Sequence, residues 1–214
     1  MNSMVDPTRL KSESEVVIRN FGGEICDHLP ILDITSPRQR EAIAGRAVVL
    51  NGILQIHFGA PTDVVKRWIE KYGFASHLSK REAKLIEIPN DDLSSQQLTD
   101  AYWNIEALWA LLWVGSMIDD LPFDQPIGDA MASLCPELHN DQDPAKFANE
   151  MVIRNTESLF SQLDLHYRLH WWAKHPSGDK ESVQIDRDII LERRKALEWV
   201  LDNGVEWDEV DLST

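Results

Sequence analysis

The stretch QLTDAYWNIEALWALLWVGSMIDDLPF, residues 97–123, holds the densest run of apolar and aromatic side chains in the chain. At 3.6 residues per turn these side chains cover more than one stripe, and a helix that is apolar on nearly all sides is buried by its neighbours. Ser94 and Gln97 have the spacing of a capping box, which starts a helix, while Gly115 and Pro122 supply stop signals. We therefore predict an all-α fold with at most minor short strands, a compact multi-helix globular domain around this buried central helix.

One carboxylate, that of Glu106, interrupts the apolar run. Removing a carboxylate from water costs several kcal/mol unless it is paired, hydrogen-bonded or protonated. We expect an arginine to pair with it, and Arg154 and Arg193 are better candidates than Arg46, each able to donate two hydrogen bonds to one carboxylate. The alternative is a catalytic general base with a raised pKa in a pocket. The ion pair is favoured because no nucleophile or metal-ligand cluster accompanies Glu106 locally.

Helix-start signals recur along the rest of the chain, most of them a capping residue followed by proline, glutamate or glutamine. They are Asp6 with Pro7, Ser36 with Pro37 and Gln39, Pro61 with Thr62, Ser79 with Glu82, Asp143 with Pro144, and Asn155 or Thr156. Beyond these starts, the pattern predicts an amphipathic helix within residues 38–59, a short helix at 129–134 and a last helix over 183–202. The predicted organisation is an N-terminal helix and extended linker, residues 1–35, packed on a helical domain, residues 36–214.

The overall composition limits the classes of partner. A formal net charge of -15 repels nucleic-acid phosphates, so we expect no nucleic acid but a protein partner that is basic, unless the acidity serves solubility alone. The uncharged run at residues 107–118 is too short to span a membrane. Cys26 and Cys135 lack CxxC spacing and the N-terminus has no apolar run, so we expect reduced thiols, no secretion signal and a cytoplasmic protein.

The strongest metal-binding pattern is the pair His166 and His170, four residues apart on one predicted helix face. The pair lacks the glutamate of an HExxH motif, and Asp164 or a carboxylate from another helix would have to complete the ligands. The surrounding tyrosine and tryptophans favour an aromatic packing surface instead. We expect no metal here and no cofactor.

The C-terminal segment after Gly204 combines a tryptophan with an acidic run. Trp207, Asp208, Glu209 and Asp211 could form a docking surface, with the tryptophan as anchor and the carboxylates attracting a positively charged protein. The alternative is that Trp207 packs onto the domain while the acidic residues face water.

Three blocks of residues, which we call the family-like blocks, together form a specific set of motifs. The blocks are Trp103, Glu106, Ala107, Leu111, Leu112, Trp113, Gly115, Leu121, Pro122 and Phe123; Arg154, Glu157, Asp164, Tyr167, Arg168, His170 and Trp171; and Glu192, Arg193, Ala196, Leu197, Trp199, Trp207, Asp208 and Val210. As a set they resemble the bacterial domain-of-unknown-function 4272 family, over about residues 36–214 with Leu29 and Pro30 included. The resemblance implies a largely helical domain and no established reaction.

These observations lead to two functional hypotheses. The chain contains no Walker loop, GxGxxG or GxSxG motif. We therefore expect a noncatalytic acidic protein-binding module, such as an immunity-type inhibitor that covers the basic cleft of a toxin or nuclease. The alternative is a small metal-dependent or carboxylate-based hydrolase, with Glu106 or the pair His166 and His170 in a site between helices.

Overall fold

The computed structural model describes residues 5–127, 131–175 and 185–214, and every regular element in these ranges is helical. The helices are α1 Pro7–Asn20, α2 Arg40–His57, α3 Thr62–Lys71, α4 Lys80–Leu85, α5 Ser95–Val114, α6 Met131–Leu134, α7 Ala145–Glu150, α8 Thr156–Lys174 and α9 Arg187–Leu201. The all-α prediction is confirmed, and the short strands it allowed do not occur in the described ranges.

The predicted central helix is α5, which packs between α2 and α9. On the far side of α9 lies α8, and α1 packs on α8 in turn. One large hydrophobic core joins α2, α5 and α9, and a smaller one around Ile18, Leu169, Trp172 and Ile190 joins α1, α8 and α9. The central position of α5 follows from its sequence, because its apolar side chains must be buried against more than one neighbour.

Both ends of α5 are fixed by local hydrogen bonds. The Ser94 hydroxyl accepts from the Gln97 amide at 3.2 Å and the Gln97 side chain accepts from the Ser94 amide at 2.8 Å, which confirms the predicted capping box. The helix ends at Val114, before the apolar pattern does. The chain turns there through Ser116, whose φ is 55°, and the Met117 amide donates back to the Leu112 carbonyl.

Two predictions about α2 are wrong. Its start lies at Arg40 and the Gln39 side chain makes no capping hydrogen bond, so the signal at residues 36–39 does not form a cap. Every residue from 43 to 54 is buried, including Arg46, so α2 is not amphipathic over this part. It is covered by α3 and α7 as well as by α5, which the pattern of α2 alone does not reveal.

Other predicted starts agree with the structure more closely. The Ser79 and Glu82 capping box starts α4, and the Asn155 side chain caps α8 by accepting from the Ser158 amide. The last helix begins at Arg187, with the Asp186 side chain as its cap. Its predicted start at residue 183, like residues 129 and 130 of the predicted short helix, lies outside the described residues.

Within the described ranges, each helix is either too short or too polar to traverse a lipid bilayer.

The capping box of α5 generates a first prediction. Ser94→Ala removes the hydroxyl that accepts from the first turn, so the free energy of unfolding should fall by about 1 kcal/mol. The neighbouring Ser95→Ala is the matched control, since the Ser95 side chain caps nothing, and it should change stability by less than half as much. Urea unfolding of both variants measures this, and equal losses would show that the cap does not stabilise the helix.

Candidate functional site

The structure brings Glu106 and Arg193 together in the core. The Arg193 Nε donates to Glu106 Oε2 at 2.8 Å and the Arg193 Nη2 lies 2.7 Å from the same oxygen. Both side chains are almost completely buried. Arg193 also donates to the carbonyls of Pro122 and Gln125, so one guanidinium connects α9, α5 and the segment after α5.

The protonation of this pair follows from two opposed effects. Burial raises the pKa of the Glu106 carboxyl, and the charge and hydrogen bonds of Arg193 lower it. Burial likewise lowers the pKa of Arg193, while Glu106 raises it. Arginine keeps its proton in proteins, and two donors on one carboxylate oxygen favour the ionised acid, so the contact is an ion pair. Glu106 lines neither of the two cavities described below.

The other candidate partners of Glu106 have different roles. Arg154 donates to the carbonyl of Trp113 at 2.6 Å and to those that follow α5, and its guanidinium lies 4.7 Å from the centre of the Trp113 ring. It therefore closes the C-terminal end of α5, where a cation is favourable. Arg46 forms a buried bidentate ion pair with Glu82.

His166 and His170 are both buried on α8, and each makes its hydrogen bond through Nδ1. The His166 Nδ1 faces the Gln162 carbonyl at 2.9 Å, which requires a proton on that nitrogen. The His170 Nδ1 accepts from Arg194 at 2.7 Å, and the Nε2 of each histidine makes no hydrogen bond to the described residues. Asp164, the carboxylate that would have completed the ligands, pairs with Arg168. Within the described ranges, no group of three or more histidine, cysteine or acidic residues is arranged to hold a metal.

The C-terminal segment packs against the domain instead of projecting from it. Trp207 is only 4% exposed, and its ring lies 5.5 Å from that of Trp199. A buried ring cannot act as a protruding anchor, so the docking role predicted for Trp207 does not fit its position. Asp208 accepts from the Arg81 amide at 2.9 Å and Glu209 lies 3.5 Å from Lys80, so both attach the segment to α4. Asp211 accepts from Ser213 and remains exposed.

A cleft of about 480 Å³ lies between α4, α5, α9 and the C-terminal segment. Its volume falls in the range of about 300–1,000 Å³ that small-ligand sites occupy. Trp207 and Asp208 belong to its lining, so the C-terminal segment contributes to a concave surface. The charged and aromatic side chains of the other walls are Arg81, Lys84, Asp100, Trp103, Glu192 and Lys195. We call this the α4–α5–α9 cleft.

The α4–α5–α9 cleft contains a half-buried carboxylate, that of Glu192. Burial raises its pKa, Lys195 lowers it, and the charges of Asp188 and Asp100 raise it further. Among the described residues, no hydrogen bond or ion pair holds this carboxylate. The Asp100 carboxylate, on α5, accepts from the Gln96 side chain and from no other residue that the structure describes.

A second cavity of about 450 Å³ lies beside the C-terminal half of α2, lined by Leu54, Phe58, Ile105 and Cys135 among others. Burial raises the pKa of the Cys135 thiol to about 12, so it remains protonated at neutral pH and is a poor nucleophile. Cys26 and Cys135 are both free thiols.

Four aromatic rings in contact form the surface between the two cavities, and we call them the aromatic ridge: His57, Phe58, Tyr102 and Trp103. Ring centres lie 5.1 Å apart for His57 and Phe58, 4.9 Å for His57 and Tyr102, and 5.7 Å for Tyr102 and Trp103. Phe58 is 62% exposed and Tyr102 is 37% exposed. The His57 Nδ1 donates to the Leu98 carbonyl at 2.9 Å, which fixes the ring that joins α2 to α5.

Sequence reasoning missed the ridge and the cleft as sites. Trp103 and Glu192 belong to the family-like blocks, but the sequence of a block does not show whether a residue lies in the core or lines a cleft. The sequence offered no signal for the ridge, because the exposure of Phe58, which follows α2 directly, depends on how the helices pack.

With this geometry established, comparison with protein families matches residues 10–210 to the family described as Domain of unknown function (DUF4272). The chain belongs to this family. The match begins within α1 and so includes the N-terminal helix as well as the three family-like blocks. Comparison with curated proteins and with solved structures gives no match.

The ion pair predicts non-additive losses of stability. Glu106→Ala and Arg193→Ala should each lower the free energy of unfolding by roughly 3 to 5 kcal/mol, because each strands a buried charge. The double variant should lose clearly less than the sum. Glu106→Ala combined with Arg154→Ala is the matched control, and it should be additive, since these residues share no contact.

Urea unfolding of each set of four proteins gives the coupling energy. If a single alanine variant does not fold, Glu106→Gln and Arg193→Lys replace it. An additive Glu106 and Arg193 set would show that the two charges do not stabilise each other.

The buried histidines predict loss of stability in acid. Burial lowers the pKa of both His166 and His170 to about 4, whereas in the unfolded chain they titrate near 6.5. Their contribution is therefore complete above about pH 6.5 and declines as the pH falls toward 4, by up to about 1.4 kcal/mol per pH unit for each histidine. His166→Phe and His170→Phe should each flatten this decline, and urea unfolding at pH 7, 6 and 5 measures it. An unchanged slope in both variants would contradict the assignment.

Proposed function

We propose that the protein is a noncatalytic binding module that recognises a positively charged protein through the aromatic ridge. The observation that carries the proposal is the set of four contacting rings on the surface of a strongly acidic chain. An immunity-type inhibitor, which covers the basic active cleft of a toxin or nuclease, is the role that this combination fits best.

The ridge has the properties of an energetic centre in a protein interface. Single exposed apolar residues are common on protein surfaces and need no explanation, but contiguous aromatic rings are enriched where most binding energy is concentrated. The rings are also held before binding, because His57 is fixed by the Leu98 carbonyl and lies between Phe58, which it meets edge to face, and Tyr102, to which it is tilted. Little conformational entropy is then lost when a partner covers them.

Charge supports a basic partner. The formal net charge of -15 attracts cationic surfaces at long range and speeds their association. Asp100 lies on α5 one turn before the ridge residue Trp103, so one acidic group adjoins the rings. A ridge that fills a basic cleft would both bind it and exclude its substrate, without any chemistry by this chain.

The ridge generates a prediction about affinity. Tagged protein should retain a stoichiometric basic partner from a lysate of its source, and the purified partner should then bind Phe58→Ala and Tyr102→Ala at least about tenfold more weakly than the parent protein. Val152→Ala is the matched control, because Val152 is also an exposed apolar residue, 66% exposed, but lies beyond the opposite end of α5. Biosensor titration at two salt concentrations measures the dissociation constants.

Higher salt should weaken the complex mainly by slowing association. If the partner is acidic, or if the ridge variants bind as tightly as Val152→Ala, the proposal fails. For the inhibitor role, the partner's own activity should fall in proportion to its occupancy.

A further inference from the structure

We infer that the α4–α5–α9 cleft receives an arginine side chain of the partner protein, with its guanidinium on the Trp103 ring and against the carboxylates of Glu192 and Asp100. This inference rests on the proposed function. The proposed function makes the aromatic ridge the contact surface for a partner protein. The cleft beside the ridge indicates which type of partner residue binds there.

Glu192 differs from the other carboxylates of this protein that are withdrawn from water. Four other carboxylates withdrawn from water each pair with an arginine: Glu82 with Arg46, Glu106 with Arg193, Asp164 with Arg168, and Glu198 with Arg194. Glu192 is also withdrawn from water, yet within the described ranges no arginine reaches it. An arginine from outside would give it the partner that these four have.

Trp103 likewise differs from other tryptophans of the chain, because no guanidinium of the described residues lies near its ring. Three other tryptophan rings each carry an arginine guanidinium near the ring centre: Trp113 carries Arg154 at 4.7 Å, Trp199 carries Arg38 at 4.3 Å, and Trp207 carries Arg46 at 4.1 Å. Trp103 lines the cleft, and in the described part of the chain its ring contacts another ring but no cation. A guanidinium in the cleft can meet a free ring and a free carboxylate together.

The electrostatics of the cleft favour the same ligand. Burial raises the pKa of Glu192 despite the presence of Lys195, and the nearby charges of Asp188 and Asp100 raise it further. The Lys195 ammonium also lines the cleft, but it lies 4.9 Å from the centre of the Trp207 ring and forms no ion pair with Glu192 in the described part of the chain. A second cation at Glu192 would therefore relieve repulsion between carboxylates.

Arginine suits this site better than lysine. Its planar guanidinium can stack on an indole while donating along its edge to carboxylates, whereas an ammonium is a compact, strongly hydrated charge. The facing wall carries Arg81 and Lys84, which would repel further positive charge. We therefore expect a single arginine with neutral or acidic neighbours, not a polybasic run.

The test uses the full chain and a defined probe, the peptide acetyl-Gly-Arg-Gly-amide. Its neutral isostere, with citrulline in place of arginine, is the matched probe control. In ¹H–¹⁵N spectra, the arginine peptide should shift the Trp103 indole N–H saturably, and the citrulline peptide should bind at least about tenfold more weakly. Glu192→Gln and Trp103→Leu should each weaken the arginine peptide by a similar factor.

Glu70→Gln is the matched protein control, since it removes the same charge from an exposed position on α3, outside the cleft. A structural defect in Glu192→Gln is tested separately. Folding raises the pKa of Glu192, so its ionised form lowers the stability of the folded protein above that pKa. Glu192→Gln should therefore be at least as stable as the parent protein at neutral pH. The difference should vanish below about pH 4, where Glu192 is protonated in both the folded and the unfolded state.

Three results would overturn the inference: no shift at Trp103, equal binding of the citrulline peptide, or unchanged binding by Glu192→Gln. Agmatine, an arginine-like amine without a peptide backbone, distinguishes the source of the ligand. If agmatine binds as tightly as the peptide, the cleft is a small-amine site and the assignment to a partner protein fails. If the inference fails, the results expected for the ridge variants and the proposed function still stand, because Phe58 does not line the cleft.

Discussion

The ion pair between Glu106 and Arg193 sets the relative position of α5 and α9, the two helices at the middle of the fold. Both charges are out of water, so neither can be left without the other, and the two helices are held within hydrogen-bonding distance at this point. The remaining donors of Arg193 take the carbonyls of Pro122 and Gln125, which fixes the irregular segment after α5. One guanidinium thus determines a helix contact and the path of a loop.

Three other buried arginines act in the same way. Each pairs with a carboxylate and also attaches a segment between or beside the helices to the helical core. A guanidinium has five donors, so it can pair with a carboxylate and still donate to backbone carbonyls that lack partners. Arg46 joins Glu82 to the His77 carbonyl, Arg168 joins Asp164 to the Pro30 carbonyl, and Arg194 joins Glu198 to the carbonyls of Leu212 and Ser213. The carbonyls of Pro30, Leu212 and Ser213 belong to segments without regular structure, and that of His77 belongs to a three-residue 3-10 helix between α3 and α4.

Local signals in the sequence predict much of this fold, and contacts between distant residues account for what they miss. The capping boxes at Ser79 and Ser94 were predictable because each involves residues three apart. The burial of α2 was not, because Arg46 is tolerated in the core only through Glu82, 36 residues away. The cleft depends on an even longer separation, since α5 supplies Trp103 and α9 supplies Glu192. The need of Glu106 for an arginine could be predicted from one helix, but choosing Arg193 over Arg154 required the packing.

The core ion pair and the cleft are parts of one arrangement, because they use adjacent residues on the same two helices. Arg193 follows Glu192 directly on α9, and Glu106 lies one turn after Trp103 on α5. Fixing Arg193 against Glu106 therefore also fixes the spacing between the Glu192 carboxylate and the Trp103 ring. A site with its carboxylate and ring held in advance loses little entropy when a ligand enters. The desolvation of the unpaired Glu192 carboxylate is a cost in the free protein that a cation in the cleft would offset, and the buried ion pair prevents the helices from shifting to relieve this cost.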